Sequence, residues 1–232
     1  MLFPYYYFDP TMLIVIPGLL LALWAQFRTQ SVFTKYSKVN AQSGLTASQV
    51  AEDMLRQNGI TDVTVQRIGG SLTDNYDPRT NVLSLSSTVY DSSSLSALGV
   101  AAHEVGHVLQ HYDQYAPLKI RSAFVPVAQL GSYAAVPLFI LGMLMSWEPL
   151  MWAGIIVFIA VVLFYLVTLP VEYNASGRAI AALETGGYLT REETVPARKV
   201  LSAAGLTYVA AALQAFLQLL RLLVLSGGRR RD

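Results

Sequence analysis

Residues 124–169 read FVPVAQLGSYAAVPLFILGMLMSWEPLMWAGIIVFIAVVLFYLVTL, and Glu148 is the only Asp, Glu, Lys or Arg in that run. A helix needs roughly 20 apolar residues to cross a hydrocarbon core. Two such helices fit here, 124–145 and 150–169, with Ser146-Trp147-Glu148-Pro149 as the turn between them. A soluble core rarely needs two uncharged helices in succession. The pair therefore reads as a transmembrane hairpin and sets the fold class, a mainly α integral membrane protein.

Two more stretches extend this reading outward. Residues 11–27 are apolar and follow Phe3, Tyr5, Tyr6, Tyr7 and Phe8, which suit an interfacial aromatic belt. No Lys or Arg precedes them, so the segment lacks the basic start of a cleavable signal peptide and reads as a permanent anchor. Residues 206–225 are apolar except for Gln214, Gln218 and Arg221, which share one helical face. A charge near mid-span costs about 2.5–3.5 kcal/mol. That face must pack against protein or a polar cavity, or the helix lies in the interface, so three to four transmembrane helices are expected.

Composition agrees with a membrane protein. Hydrophobic residues make up 53% of the chain and charged residues 13%, about half of what a soluble domain carries. The net charge of +1 offers no basic field for nucleic acid. The absence of cysteine excludes disulfides, thiolate zinc sites and cysteine nucleophiles. Arg28, Lys35 and Lys38 follow the first span, Lys119 and Arg121 precede the second, and Arg178 follows the third. Positive residues favour the cytoplasmic side. Residues 28–122 and 171–205 are therefore expected in the cytoplasm and the amino terminus outside. Arg229-Arg230-Arg231 disagrees with this arrangement if residues 206–225 cross.

The ninety or so residues between the first and second spans suffice for a compact α+β domain. Thr46-Ala47-Ser48-Gln49 opens a helix with a capping signal, Val50, Met54 and Leu55 give it an apolar face, and Asn58-Gly59 ends it. Val63-Thr64-Val65 and residues 81–86 read as strands, the second an edge that could pair with an extended substrate. Gly69-Gly70 and Asn75-Tyr76-Asp77-Pro78-Arg79 read as turns. A polar stretch at Asp91-Ser92-Ser93-Ser94 then caps a helix over residues 95–112.

That helix carries His103-Glu104-Val105-Gly106-His107. Histidines four apart project from one face and can hold one metal ion together. In the H-E-x-x-H arrangement the glutamate is the general base for a zinc-activated water. Gly106 is expected to keep its side of the helix open. A His-Glu-His set on an otherwise apolar helix would be expensive to bury without a metal or partners. A catalytic zinc needs a third protein ligand. All three histidines lie between positions 103 and 111, so the choice is His111 or a carboxylate. His111, one turn further on, would surround a tetrahedral ion poorly. Asp113 stands six residues after His107, a spacing that needs a helix-breaking glycine where this chain has Gln110. Glu172 follows the third span, where Pro170 suits a helix start and residues up to Leu183 read as an Ala-rich helix. Glu172 is the preferred candidate.

The runs Asn75-Tyr76-Asp77-Pro78, Leu83-Ser84-Leu85-Ser86 with Val89-Tyr90, Gly99-Val100-Ala101-Ala102-His103-Glu104-Val105-Gly106-His107 and Leu169-Pro170-Val171-Glu172 resemble the YugP-like neutral zinc metallopeptidases of bacteria. The layout is also similar to the HtpX-like membrane proteases, in which a hairpin of spans separates the zinc helix from a glutamate ligand. The resemblance implies a zincin-like (gluzincin) catalytic domain at the membrane face, Zn2+ held by His103, His107 and Glu172, and Glu104 as base. It further implies a bacterial cell-membrane protein with its catalytic domain in the cytoplasm. The family often carries a histidine at the position of Asn75 and an aspartate soon after the glutamate, where Asn174 and Ser176 stand. For the oxyanion of the reaction, Arg178 is the first expectation and Tyr76, with Asn75, the next.

The expected organisation is an anchor at 1–27, a catalytic domain at 28–122, a hairpin at 123–170, a third-ligand segment at 171–205, and a membrane or interfacial helix with a basic tail at 206–232. The expected partners are membrane or membrane-proximal protein substrates and the lipid bilayer. A metal-binding scaffold without proteolysis is the main competing function, and Glu104 argues against it, because pure binding needs no base there. A metal transporter would need ionisable groups inside the spans, and residues 124–145 and 150–169 hold none outside the turn.

Overall fold

The computed structural model describes residues 9–228; the aromatic residues Phe3, Tyr5, Tyr6, Tyr7 and Phe8 and the tail Arg229-Arg230-Arg231 lie outside them. The described chain runs α1 (Met12–Tyr36), α2 (Ala47–Gln57), β1 (Thr64–Ile68), β2 (Asn75–Asp77), β3 (Val82–Ser86), α3 (Leu95–Tyr112), α4 (Ala116–Leu144), α5 (Glu148–Thr185) and α6 (Arg191–Gly228). Its contacts divide it into two units. One comprises Ala25–Ile120 and Thr168–Tyr208; the other comprises the described parts of Met1–Trp24, Arg121–Val167 and Val209–Asp232.

In the first unit, local signals start the helices and an apolar core holds them. Thr46 and Gln49 form a reciprocal capping box on α2, Gln49 N–H donating to Thr46 Oγ1 at 3.3 Å and Thr46 N–H to Gln49 Oε1 at 2.9 Å. Such a cap contributes about 1 kcal/mol. The helix stops at Asn58, and Gly59 follows at φ +70°, a left-handed conformation that glycine adopts without steric cost. Ser94 caps α3 by accepting from Ala97 N–H. Leu98, Ala101, Ala102, Val105 and Val108 of α3 are buried among Val50 and Met54 of α2, Leu83 and Leu85 of β3, and Ala179, Leu183 and Val200. α3 is therefore enclosed on nearly every side, which explains its small apolar composition.

The sheet departs from expectation twice. Residues 75–77, expected as turn, form β2 and pair antiparallel with β3, Tyr76 opposite Leu83. The turn proper is shorter, ending at Asn81 with φ 52°. The strand order is β1-β3-β2, with β1 parallel to β3, so β3 is central and not an edge. Its burial pattern gives the reason. Leu83, Ser84, Leu85 and Ser86 are all buried, and a strand covered on both faces suits the middle of a sheet.

Pro170 does not start a new helix. The third apolar span and the Glu172 segment are one helix, Glu148–Thr185, with Pro170 inside it. Val171, Ala175, Ala179 and Leu183 are fully buried, and this four-residue stripe keeps one face against the core. Packing along that stripe outweighs the proline, as membrane helices commonly allow.

The second unit is made of apolar helix segments. α4 and α5 approach closely at glycines. A Cβ on Gly154 would stand 2.6 Å from the Ala135 carbonyl oxygen, and one on Gly142 would stand 2.5 Å from Met151 N. Small residues permit this kind of backbone contact between membrane helices. Phe139 and Ile155 fill the space between. Arg221 of α6 is compensated within this unit, Nη2 bonding Asp9 Oδ2 at 2.8 Å and Nε bonding Thr11 Oγ1 at 3.1 Å. Among the described residues four helices, α1, α4, α5 and α6, are long and apolar enough to cross a membrane.

Candidate metal centre

His103 and His107 face the same side of α3, and the rings meet edge to face with centroids 4.7 Å apart. Glu172 comes to them from α5. Its Oε2 lies 3.3 Å from His103 Nε2 and 3.6 Å from His107 Nε2. One ligand atom from each residue falls within 4.8 Å of the others. Bonds of about 2.0–2.1 Å at tetrahedral angles separate ligand atoms by roughly 3.3 Å. Two nitrogens and one oxygen at this spacing fit a zinc-type site with a position left for a reactant.

The other nitrogen of each imidazole is also engaged. His107 Nδ1 lies 3.0 Å from Gln110 Oε1, and His103 Nδ1 lies 3.1 Å from Ser176 Oγ. Gln110 is fully buried, and its Nε2 donates to the Val171 carbonyl at 2.8 Å and to Asn174 Oδ1 at 2.9 Å. Two acceptors on that side fix the amide, so its oxygen faces His107 and can only accept. Nδ1 then carries the proton and Nε2 keeps its lone pair toward the metal position.

Electrostatics around the set are strongly coupled. Burial disfavours the charge on Glu172, but the two imidazoles beside it outweigh that and hold the carboxyl well below its usual range. Glu104 is buried, and burial pushes its carboxyl up despite the opposing pull of both histidines. A carboxylate raised in this way can hold and return a proton. Asp74 stands near it, accepting from Ser86 N–H at 2.7 Å and from Ser86 Oγ–H at 3.0 Å. Burial pushes its carboxyl up as well.

Gly106 does not leave an open side. A Cβ there would stand 2.5 Å from the Ala175 carbonyl oxygen, so the glycine admits the α5 backbone. That close approach brings Glu172 to the histidines.

A cavity of about 220 Å³ opens on His103, Glu104 and Glu172, with Asp74, Ser176 and Tyr208 in its wall. The remaining sequence candidates lie elsewhere. Arg178 Nε donates to Asn174 Oδ1 at 2.9 Å, its Nη1 pairs with Asp113, and its guanidinium lies over the Tyr115 ring. Tyr76 bonds His111 Nδ1 at 2.9 Å, and burial pushes its hydroxyl up to about 12. None of Arg178, Tyr76, His111 or Asp113 lines the cavity. Asp74, Gln110 and Tyr208 were not singled out from sequence as site residues. Only Gln110 left a signal, since three residues after His107 is the same helical face.

The family described as "Putative neutral zinc metallopeptidase" matches residues 11–227. The chain belongs to that family. It is 47% identical over 212 residues, 91% of this chain and 94% of the relative, to the "Putative membrane protease YugP" of Bacillus subtilis (strain 168). No solved structure matches the chain. The family's name implies zinc, in line with the donor set on α3 and α5.

Proposed function

We propose that the chain is a membrane-embedded zinc endopeptidase that hydrolyses peptide bonds of membrane or membrane-proximal proteins on the cytoplasmic side. The carrying observation is the convergence of His103, His107 and Glu172 on one point beside the buried Glu104. A zinc ion held by the three would supply Lewis-acid activation of water and of the scissile carbonyl.

The chain's own residues do the rest. Glu104 takes the proton of the attacking water and returns it to the leaving amine, so the carboxyl ends the cycle as it began. Gln110 and Ser176 hold the two imidazoles in the ligating orientation. Tyr208 brings a phenol to the cavity wall, and we assign to it the hydrogen bond to the developing oxyanion, since Arg178 and Tyr76 are engaged outside that wall. Leu72 and Asp74, just before β2, line the cavity. This supports extended substrate binding along the β2 side of the sheet, not along β3.

The decisive test is metal content of the purified full chain beside two variants. Wild type should carry about one zinc per chain, and Glu172→Ala should lose it. Glu104→Gln should keep its zinc and lose cleavage by roughly 10²–10⁴-fold. Retention of zinc in Glu172→Ala with loss in Asp113→Ala would overturn the ligand set. A metal-free, well-folded wild type would overturn the activity.

A further inference from the structure

A second cavity lies where the apolar run of α1 ends and that of α6 begins. Its volume is about 410 Å³, and Arg28 and Lys35 of α1 and Arg198 and Lys199 of α6 stand in its wall. Val32, Val195 and Leu206 supply an apolar part, and no carboxylate lines it. The two helices are tied at this level by Thr29 Oγ1, which donates to the Ala203 carbonyl at 2.8 Å. Glu193, one turn earlier on α6, is turned away and accepts from the N–H groups of Gln42 and Thr190 at 2.8 and 2.9 Å. Lys35, Arg198 and Lys199 give this hollow positive charge with no carboxylate in its wall, which suits an anion.

Position and chemistry together select the anion. Arg28 directly follows Phe27, the last apolar residue of its span, and Phe27 is 75% exposed. Leu206 opens the apolar run of α6 and is itself in the cavity wall. Cations beside apolar side chains at the start of a span match a phosphate followed by a glycerol and acyl chain. Basic pockets between membrane helices on the cytoplasmic side take such head groups.

We propose that this cavity binds the phosphate of an anionic phospholipid, with Arg28, Lys35, Arg198 and Lys199 as its cations. The inference rests on the membrane reading of the preceding section and is independent of proteolysis. The lipid would brace α1 against α6.

The test uses the full chain in neutral detergent, titrated with phosphatidylglycerol, phosphatidylcholine or inorganic phosphate. Bound lipid is read by native mass spectrometry and the unfolding midpoint by thermal scanning. Phosphatidylglycerol should bind and raise the midpoint at concentrations where phosphatidylcholine does not. Arg198→Gln/Lys199→Gln should weaken that binding roughly tenfold to thirtyfold, since each basic side chain near an anionic surface contributes about a fivefold factor. Arg28→Gln/Lys35→Gln, on the other helix, is the parallel variant should the first fold poorly. Arg56→Gln/Arg79→Gln removes the same charge outside the cavity and should stay within about twofold of wild type. Equal response to phosphatidylcholine, an equal midpoint shift from inorganic phosphate alone, or an equal loss in the control variant would overturn the lipid site. Release of the wild-type chain from membranes by alkaline carbonate would overturn the membrane reading itself.

Discussion

An imidazole can offer a metal only one of its nitrogens at a time, and at His107 the choice is made by Gln110. Gln110→Ala should remove the acceptor for Nδ1–H and both donors to α5, lowering zinc affinity by roughly 10–100-fold in a chelator competition. Gln110→Glu keeps an acceptor for His107 but loses the donors, so it should fall between Ala and wild type. Equal affinity in all three would reduce Gln110 to a packing residue. His103, Glu104 and His107 could be read from sequence because their spacing is local and helical. Glu172 could be read only as a preference, from its place after a span. Asp74 and Tyr208 join the cavity through tertiary contacts that no spacing encodes, whereas Ser176 lies one turn after Glu172 on α5.

Between elements, the site depends on how closely α3 and α5 approach. Gly106→Ala would drive a methyl into the Ala175 carbonyl, and backbone there cannot yield as a side-chain tip can. Overpacking of this kind costs roughly 1–3 kcal/mol and would draw Glu172 away from the histidines. The variant should lose both thermal stability and zinc. Gly99→Ala on the same helix is the control, because its nearest neighbour, Ala197 Cβ, is at an ordinary 3.7 Å. It should keep both. Helix starts at Thr46 and Ser94 were legible since caps are local chemistry. Pro170 misled because a proline marks a break only when nothing else holds the helix. The stripe Val171, Ala175, Ala179, Leu183 does hold it. The rank of β3 in the sheet was hidden for a related reason: strand order depends on which neighbours arrive.

For the whole molecule, crossing by all four long apolar helices would place the two ends of the described chain on one side of a membrane and the metal centre on the other. The absence of cysteine makes this directly measurable. In intact cells, Ser146→Cys and Ser226→Cys should react with a membrane-impermeant maleimide, and Ser43→Cys should react only after lysis. Protection of Ser226→Cys with labelling of Ser146→Cys would mean that α6 does not cross. Hydropathy made the four long apolar helices legible. The partner of Arg221 was not legible, because Asp9 is 212 positions away in sequence.

The unbroken course of α5 sets a ruler. Glu172 stands three residues beyond Leu169 on one helix, about 4.5 Å of rise past the end of the apolar span. A metal ligand carried there would stand close to the surface of any bilayer that the span crosses. Cleavage would then be chosen by how far a bond protrudes from the membrane as much as by the residues flanking it, and a thicker or thinner bilayer would move the cut along the same substrate.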